Sequence, residues 1–206
     1  MMEIELANGK HIDHCLERVR GFCRWDPSYK GYDCIDIAQN NRLSDQDILV
    51  ANKIMARMGA LPVSRFKQNR AKIEAALGSV PVGLALDDPW PAEESVWEAI
   101  ENVYRACWDH DVREARVTKV LHKKRPQLLP IIDGEIVIGY YYAKYSGPRR
   151  GVPRMVAVTQ RIRDDMMRNV SALRQLQREL LERGIRLTRV RLFDILLWEG
   201  YKHPRY

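Results

Sequence analysis

The chain has 206 residues, of which 46% are hydrophobic and 30% are charged. This balance excludes a disordered or fibrous chain and predicts a globular protein with its own core. Lys and Arg outnumber Asp and Glu by 34 to 27, for a formal net charge of +7. The excess cations lie mostly after residue 110, which makes DNA or RNA a candidate partner. A solvated basic surface accounts for the same charge equally well.

The sequence offers no sign of a membrane segment, a disulfide or a metal site. No apolar stretch approaches the roughly 20 residues needed to cross a bilayer, and MMEIELANGK lacks the order of a secretion signal. We therefore expect a cytoplasmic protein. Its four cysteines form no CxxC pair, which favours buried thiols. The His and Cys residues between His11 and Cys23 match no zinc spacing, so neither a metal nor a cofactor is predicted.

Apolar side chains at three- and four-residue steps predict helices in the first half of the chain. A short helix is expected at residues 11–23, followed by a loop. Ser44 and Asp47 predict the capping box of a helix over residues 44–59. Pro62 begins another helix, which Gly78 ends, so these two helices form a hairpin.

The second half continues the pattern with helices at residues 92–108 and 112–124. Asp109 or Asp111 is the expected cap of the second of these helices. Pro126 forbids its continuation, so RPQLLPIID is extended. We then expect a helix over residues 134–145, with a strand as the open alternative, and one long helix over 155–183. Thr188 is the expected cap of a last helix, which Gly200 ends.

No segment alternates apolar and polar residues between hairpin turns, so the predicted fold is all-α, a multi-helix array of about seven to nine helices. Residues 1–40 are interpreted as an N-terminal helix and loop extension. Residues 41–206 form the helical domain, and we expect the two parts to make one compact unit.

The stretch from Asp109 to Asp133 carries the main functional signal: a helical hairpin, a proline-bracketed link and an acid. Asp133 stands at an expected N-cap, where backbone N–H groups and the helix dipole stabilise a carboxylate. VREARVTKVLHKKRPQLLPIID resembles the helix-hairpin-helix DNA glycosylase superfamily, in which such a link leads to an essential Asp. The resemblance implies the glycosylase fold and duplex DNA as the partner.

A narrower resemblance covers most of residues 40–200. The segments LSDQDILVANKIMARM, TKVLHKKRPQLLPIID and TRVRLFDILLWEG resemble a family of bacterial helical proteins of unknown function, related to that superfamily. Its members carry KRP-x-L-x-P-x-x-D and R-x-x-D-x-x-x-W signatures. The matching residues here are Lys124, Arg125, Pro126, Leu128, Pro130 and Asp133, then Arg191, Asp194 and Trp198.

The resemblance implies that Asp133 is catalytic, stabilising the oxocarbenium character of a sugar carbon or directing a water as a flipped base leaves. The candidate base-pocket residues are Trp97, Trp108, Tyr140 and Tyr141. The candidate DNA-backbone contacts are Arg113, Arg116, Lys119, His122, Lys123, Lys124, Arg125, Arg149, Arg150 and Arg154. Core packing, helix-terminal charges and, for Asp133, a cap alone are the open alternatives.

The sequence departs from the glycosylase pattern at the hairpin. DHDVRE has no Gly and three acids, which places carboxylates where phosphates are normally bound. Residues 113–115 include no Lys, and Lys119 is about one turn away, so any glycosylase activity is predicted to be lyase-free. The alternatives are a non-catalytic module that binds nucleic acid or protein, and an enzyme acting on a nucleoside.

Overall fold

The structure, a computed structural model, describes residues 2–142 and 150–204. These residues are mostly helical, which confirms the all-α prediction. Nine α-helices lie within them: α1 (Cys15–Trp25), α2 (Asp45–Leu49), α3 (Ala60–Gln68), α4 (Arg70–Ser79), α5 (Glu93–Cys107), α6 (Glu114–Lys124), α7 (Val152–Arg168), α8 (Val170–Leu181) and α9 (Arg189–Lys202). None of the helices in the described part of the chain has the length and apolarity to span a membrane.

A small antiparallel hairpin, which the sequence patterns did not indicate, precedes the helices. Strands β1 (Ile4–Glu5) and β2 (His11–Ile12) pair Ile4 with Ile12. Gly9, at a φ of 78°, allows the connecting turn to reverse in the left-handed region. Each strand has two residues, too few for an alternating pattern to show in the sequence.

The predicted helix over residues 44–59 begins as expected but ends early. The Ser44 hydroxyl accepts from the Asp47 amide at 3.1 Å, and the Asp47 carboxylate accepts from the Ser44 amide, which confirms the capping box. α2 ends at Leu49 and a 3₁₀ turn continues to Ile54. The Asn52 side chain then binds both the N–H and the C=O of Met58, so it replaces the hydrogen bonds that would continue the helix.

Two predicted helices are each split at an asparagine. α3 and α4 meet at Asn69, and α7 and α8 meet at Asn169. The Asn169 side chain accepts from the Glu5 amide at 3.0 Å and donates to the Glu5 and Asp165 carbonyls, both at 2.8 Å. The break therefore fastens β1 to the helical body, a long-range contact that no local periodicity could indicate.

α6 is the central helix of the region that contains the candidate site residues. α6 packs against α2, the following 3₁₀ turn and α5, while α9 packs against α1 and α8. Val117, Val120 and Leu121 of α6 are completely buried, and each contributes roughly 1.5–3 kcal/mol of apolar burial. The expected Asp cap of α6 was wrong, because the N-cap residue is Arg113 and forms no side-chain cap bond.

Candidate active site

Asp133 caps the next helical segment with one carboxylate oxygen. Its Oδ1 accepts from the amides of Glu135 at 3.0 Å and Ile136 at 3.1 Å, which confirms the predicted N-cap. The capped segment, Gly134–Tyr141, is a wide π-helical turn. The second oxygen, Oδ2, lies 4.0 Å from Nζ of Lys119, and the Asp133 side chain is 29% exposed. The cap therefore uses Oδ1 and leaves Oδ2 without a backbone hydrogen bond in the described part of the chain.

The link between α6 and Asp133 lies along α6, and this brings the carboxylate to Lys119. The Thr118 hydroxyl accepts from the Ile132 amide at 3.0 Å, and His122 Nδ1 lies 2.7 Å from the Leu129 carbonyl oxygen. Burial lowers the pKa of His122 to about 3, so the ring is neutral and donates its Nδ1 proton. The chain therefore reverses direction at Pro126 and runs back along α6.

Lys119 is a buried amine with a lowered pKa. The residue is 7% exposed, and desolvation is the main cause of the lowered pKa. The carboxylates of Asp133 and Asp194 oppose this effect, while the charges of Arg191 and Arg57 add to it. A lysine in these surroundings can act as a nucleophile or proton carrier. The sequence analysis placed Lys119 about a turn from such a position, whereas the structure places it beside Asp133.

Behind this pair lies a buried ionic network in which one guanidinium faces two acids. Arg191 Nε and Nη2 bind the Asp33 carboxylate at 2.7 and 3.0 Å, and Nη1 binds Asp194. Burial raises the pKa of Asp194 to about 6, against the opposing charge of Arg191. Asp33 already binds Arg191 through two hydrogen bonds, so Arg191 compensates the negative charge of Asp194 only in part. This ion pair between Arg191 and Asp194 lies close enough to Lys119 to affect the pKa of its amine.

Lys124 and Arg125, predicted as phosphate contacts, are structural residues of the interior. Lys124 is 1% exposed, and its Nζ binds the Ala38 carbonyl at 2.7 Å and the Asp47 carboxylate at 3.3 Å. Arg125 donates to the Leu77 carbonyl at 2.7 Å and the Val80 carbonyl at 3.1 Å, at the end of α4. These cations satisfy backbone carbonyls that would otherwise lack partners. They are not accessible to a DNA backbone.

Two more residues of the same basic run also bond within the chain. His122 is buried and neutral, as described above. Lys123 Nζ binds the carbonyls of Tyr32 at 2.9 Å and Ile35 at 2.7 Å, and burial lowers its pKa. The run at residues 122–125 therefore fastens the loop before α2 to the end of α6. We do not retain it as a phosphate-binding surface.

The remaining predicted phosphate contacts differ in availability. Arg113 and Arg150 are exposed. Arg116 donates to the Asp111 carbonyl at 2.7 Å and to the Ala56 carbonyl at 3.1 Å, and Arg154 forms an ion pair with Glu114. Arg149 lies outside the described residues. Two exposed cations, Arg113 and Arg150, therefore remain from the described part of the predicted set.

Arg57 is a site residue that the sequence analysis missed. Met55 and Arg57 both have a positive φ, of 59° and 53°, which is unusual for residues with a side chain. The bonds from Asn52 to Met58 and from Arg116 to Ala56 hold this loop in place. Arg57 is exposed and its charge affects the pKa of Lys119. No sequence signal could reveal it, because tertiary contacts impose the left-handed backbone.

The four predicted base-pocket aromatics do not form one cluster: Tyr140 and Tyr141 are in ring contact with each other, whereas Trp97 packs against a different ring. The Trp97 ring packs against Trp90 at a centroid distance of 4.9 Å, whereas Tyr140 packs against Tyr141 at 4.8 Å and Tyr201 at 5.1 Å. Tyr141 is buried and donates to the Leu197 carbonyl at 2.9 Å. The fourth, Trp108, is partly buried beside Gly151. Of these rings, Tyr140 belongs to the same helical turn as Asp133 and is 38% exposed.

The fold and site define a helical protein with a buried amine beside a partly exposed carboxylate. The model of a family described as "Family of unknown function (DUF6308)" matches residues 22–200, and the chain belongs to that family. Comparison with curated proteins found no match, and comparison with solved structures found none either. In residues 2–142 and 150–204, no group of three or more His, Cys, Asp or Glu side chains could hold a metal ion.

Proposed function

We propose that the protein is a DNA-binding, DNA glycosylase-like enzyme of the helix-hairpin-helix type, in which Asp133 acts on the sugar of a flipped nucleotide. One observation carries the proposal: Asp133 caps a helical turn with Oδ1, while Oδ2 accepts no backbone hydrogen bond from the described residues and lies 4.0 Å from the buried ammonium of Lys119. A purely structural cap requires only the hydrogen bonds to Oδ1. The position of Oδ2 beside a buried amine is the arrangement expected of a catalytic carboxylate.

The chemistry follows from the position of Oδ2. As the bond between the sugar carbon and the base nitrogen breaks, its electron pair leaves with the base and positive charge develops on the sugar. Asp133 Oδ2 stabilises that charge and accepts the proton of the water that adds to the same carbon. The amide bonds to Oδ1 fix the carboxylate orientation, so little reorganisation is needed during the reaction.

Lys119 supports a second version of this activity. The sequence predicts a lyase-free enzyme, yet the structure holds an amine of lowered pKa at the carboxylate. In its neutral form the amine can attack the sugar carbon in place of water and then form a Schiff base with the opened sugar. Asp133 would accept the amine proton. The two versions differ in one observable, a covalent intermediate between enzyme and DNA.

Contacts with DNA are assigned to cations that remain exposed near the site. Arg57 and Arg113 are exposed, and Arg116 links the loop of Arg57 to the hairpin before α6. The hairpin acids Asp109 and Asp111 lie 3.4 and 3.6 Å from Arg65 Nε, which reduces their repulsion of a phosphate. These contacts support a modest, salt-dependent affinity for DNA.

The test combines turnover with trapping. Duplexes carrying alkylated, oxidised or deaminated bases are incubated with the wild type, Asp133→Asn, Lys119→Met and a surface control, Asp164→Asn, which removes an exposed acid of α7. Base release that is lost in Asp133→Asn and retained in the control supports the proposal. Borohydride trapping of a DNA adduct that requires Lys119 selects the Schiff-base version. No release from any substrate, or equal release by Asp133→Asn, rejects both versions.

A non-catalytic helical module is the second candidate function, and the interior position of Lys124 and Arg125 favours it. Burial of these cations removes the strongest basic run from the surface. This candidate predicts binding without turnover, and a salt-dependent affinity for undamaged duplex would identify nucleic acid as the partner. Undetectable binding to DNA and RNA would instead favour a protein partner.

A further inference from the structure

Two open grooves meet at Trp25, on a side of α1 that the proposed active site does not use. One groove has a volume of 560 Å³ and runs between α1 and the turn after α8, including Arg183 and Ile185. The other has a volume of 610 Å³ and runs between α1 and the end of α9, including Lys202 and His203. Both are lined by Trp25, which is 73% exposed. We call the joined grooves the Trp25 channel.

The first groove presents an exposed indole beside arginines. Arg20 and Arg24 are exposed and lie one turn apart on α1, and both line this groove together with Trp25 at the end of the helix. The Arg24 guanidinium lies 4.5 Å from the centroid of the Trp25 ring, and Arg183 completes the cationic rim. Within the described residues, neither Arg20 nor Arg24 forms a hydrogen bond or ion pair. Glu17 is the acid that lines this groove, whereas the second groove also contains Asp26 and Glu199, which lie 4.0 Å from Lys202 Nζ and 3.9 Å from His203 Nε2, respectively.

The floor of the channel is shaped by a helical glycine. Gly21 lines both grooves, and a Cβ added there would meet nothing within 4 Å. Glycine in a helix interior costs roughly 0.5–1 kcal/mol relative to alanine. The local packing therefore does not require glycine at this position, and its effect is to leave the space beside Trp25 open.

We propose that the Trp25 channel binds single-stranded nucleic acid, with a base stacked on Trp25 and phosphates on Arg20, Arg24 and Arg183. An exposed indole supplies a stacking platform for any base, and guanidinium groups bind phosphates through paired hydrogen bonds. Duplex DNA does not fit this surface, because its bases are stacked on one another and unavailable. An acidic peptide would satisfy the arginines but would leave the indole without a planar partner.

The volume of the channel is sufficient for part of a single nucleic-acid strand. Each groove falls within the range of about 300–1,000 Å³ that is typical of small-ligand sites. Since the two grooves meet at Trp25, the space continues past the ring on both sides. A nucleic-acid strand can therefore extend beyond the stacked base.

The test measures binding of a short labelled oligothymidylate by fluorescence anisotropy, with a duplex of the same length and polyglutamate as competitors. Trp25→Ala is expected to weaken binding by about 5- to 160-fold, since stacking on one aromatic ring is worth about 1–3 kcal/mol. Gly21→Phe fills the channel without changing its charge and is expected to abolish binding. The double variant Arg20→Gln with Arg24→Gln lowers the slope of log affinity against log salt by about 1.4.

Lys72→Gln is the matched control, because it removes an exposed cation from α4, away from the channel. It is expected to leave the effect of Trp25→Ala unchanged. The proposal is overturned if the wild type fails to bind the oligonucleotide at low salt, if Trp25→Ala and Gly21→Phe bind like the wild type, or if polyglutamate competes equally well. This inference is independent of catalysis, because Asp133→Asn is expected to bind the strand normally.

Discussion

Substitution of Asp133 by Asn and by Ala separates its two roles. Asn keeps a side-chain oxygen that accepts the amides of Glu135 and Ile136, so the cap survives while the negative charge is lost. Ala removes both the cap and the charge. The interaction with Lys119 spans 4.0 Å and the Asp133 side chain is 29% exposed, so we expect the charge to contribute no more than about 1 kcal/mol to stability.

The loss of an N-cap adds about 1 kcal/mol. We therefore expect the free energy of unfolding to fall by up to about 1 kcal/mol in Asp133→Asn and by about 1 kcal/mol more in Asp133→Ala. For a chain of this length the second step corresponds to a Tm difference of about 2–4 °C. Urea titration at neutral pH, with the m-value compared between variants, measures both steps.

A double-mutant cycle with Lys119→Met isolates the charge contribution. In that background no ammonium faces residue 133, so Asp133→Asn should cost nothing, while Asp133→Ala should still lose the cap. Equal destabilisation by Asn and Ala in the wild-type background would show that the cap contributes nothing. An undiminished cost of Asp133→Asn in the Lys119→Met background would show that Lys119 is not the partner of the carboxylate.

Three further predictions concern residues away from Asp133. Lys124→Met is expected to cost about 3–5 kcal/mol in urea titrations by stranding the buried Asp47, whereas Arg113→Gln should stay within about 0.5 kcal/mol; comparable effects would contradict the interior role of Lys124. Because burial raises the pKa of Asp194 to about 6 from 3.8, its stabilising contribution is complete below pH 3.8 and is lost as the pH rises through 6; the stability of the wild type relative to Asp194→Asn should therefore fall between about pH 4 and 6, and a flat difference would be inconsistent with that pKa. Iodoacetamide should modify native protein at Cys34, the exposed thiol among the four cysteines; mass spectrometry showing labelling of the buried thiols would contradict the packing.

Short-range rules recovered the parts of the fold that neighbouring residues determine. The Ser44 capping box, the end of α6 before Pro126 and the Thr188 cap of α9 were all predicted, and all are present. Each depends on residues close to one another in sequence. The Asn169 break and the Asn52 loop were missed, because they depend on side-chain bonds that compete with helix continuation and, at Asn169, on a strand 164 residues away.

The candidate site divides in the same way. The sequence by itself determined an all-α chain, a net positive charge and an Asp at a helix start after a proline link. Tertiary structure alone decided that the charges at residues 123–125 face inward, that Lys119 meets Asp133 and that Arg57 joins them. The physical reason is that a cation has the same local sequence signature whether it binds carbonyls or solvent. Which of these partners the cation contacts is determined by the tertiary structure, which brings distant segments together.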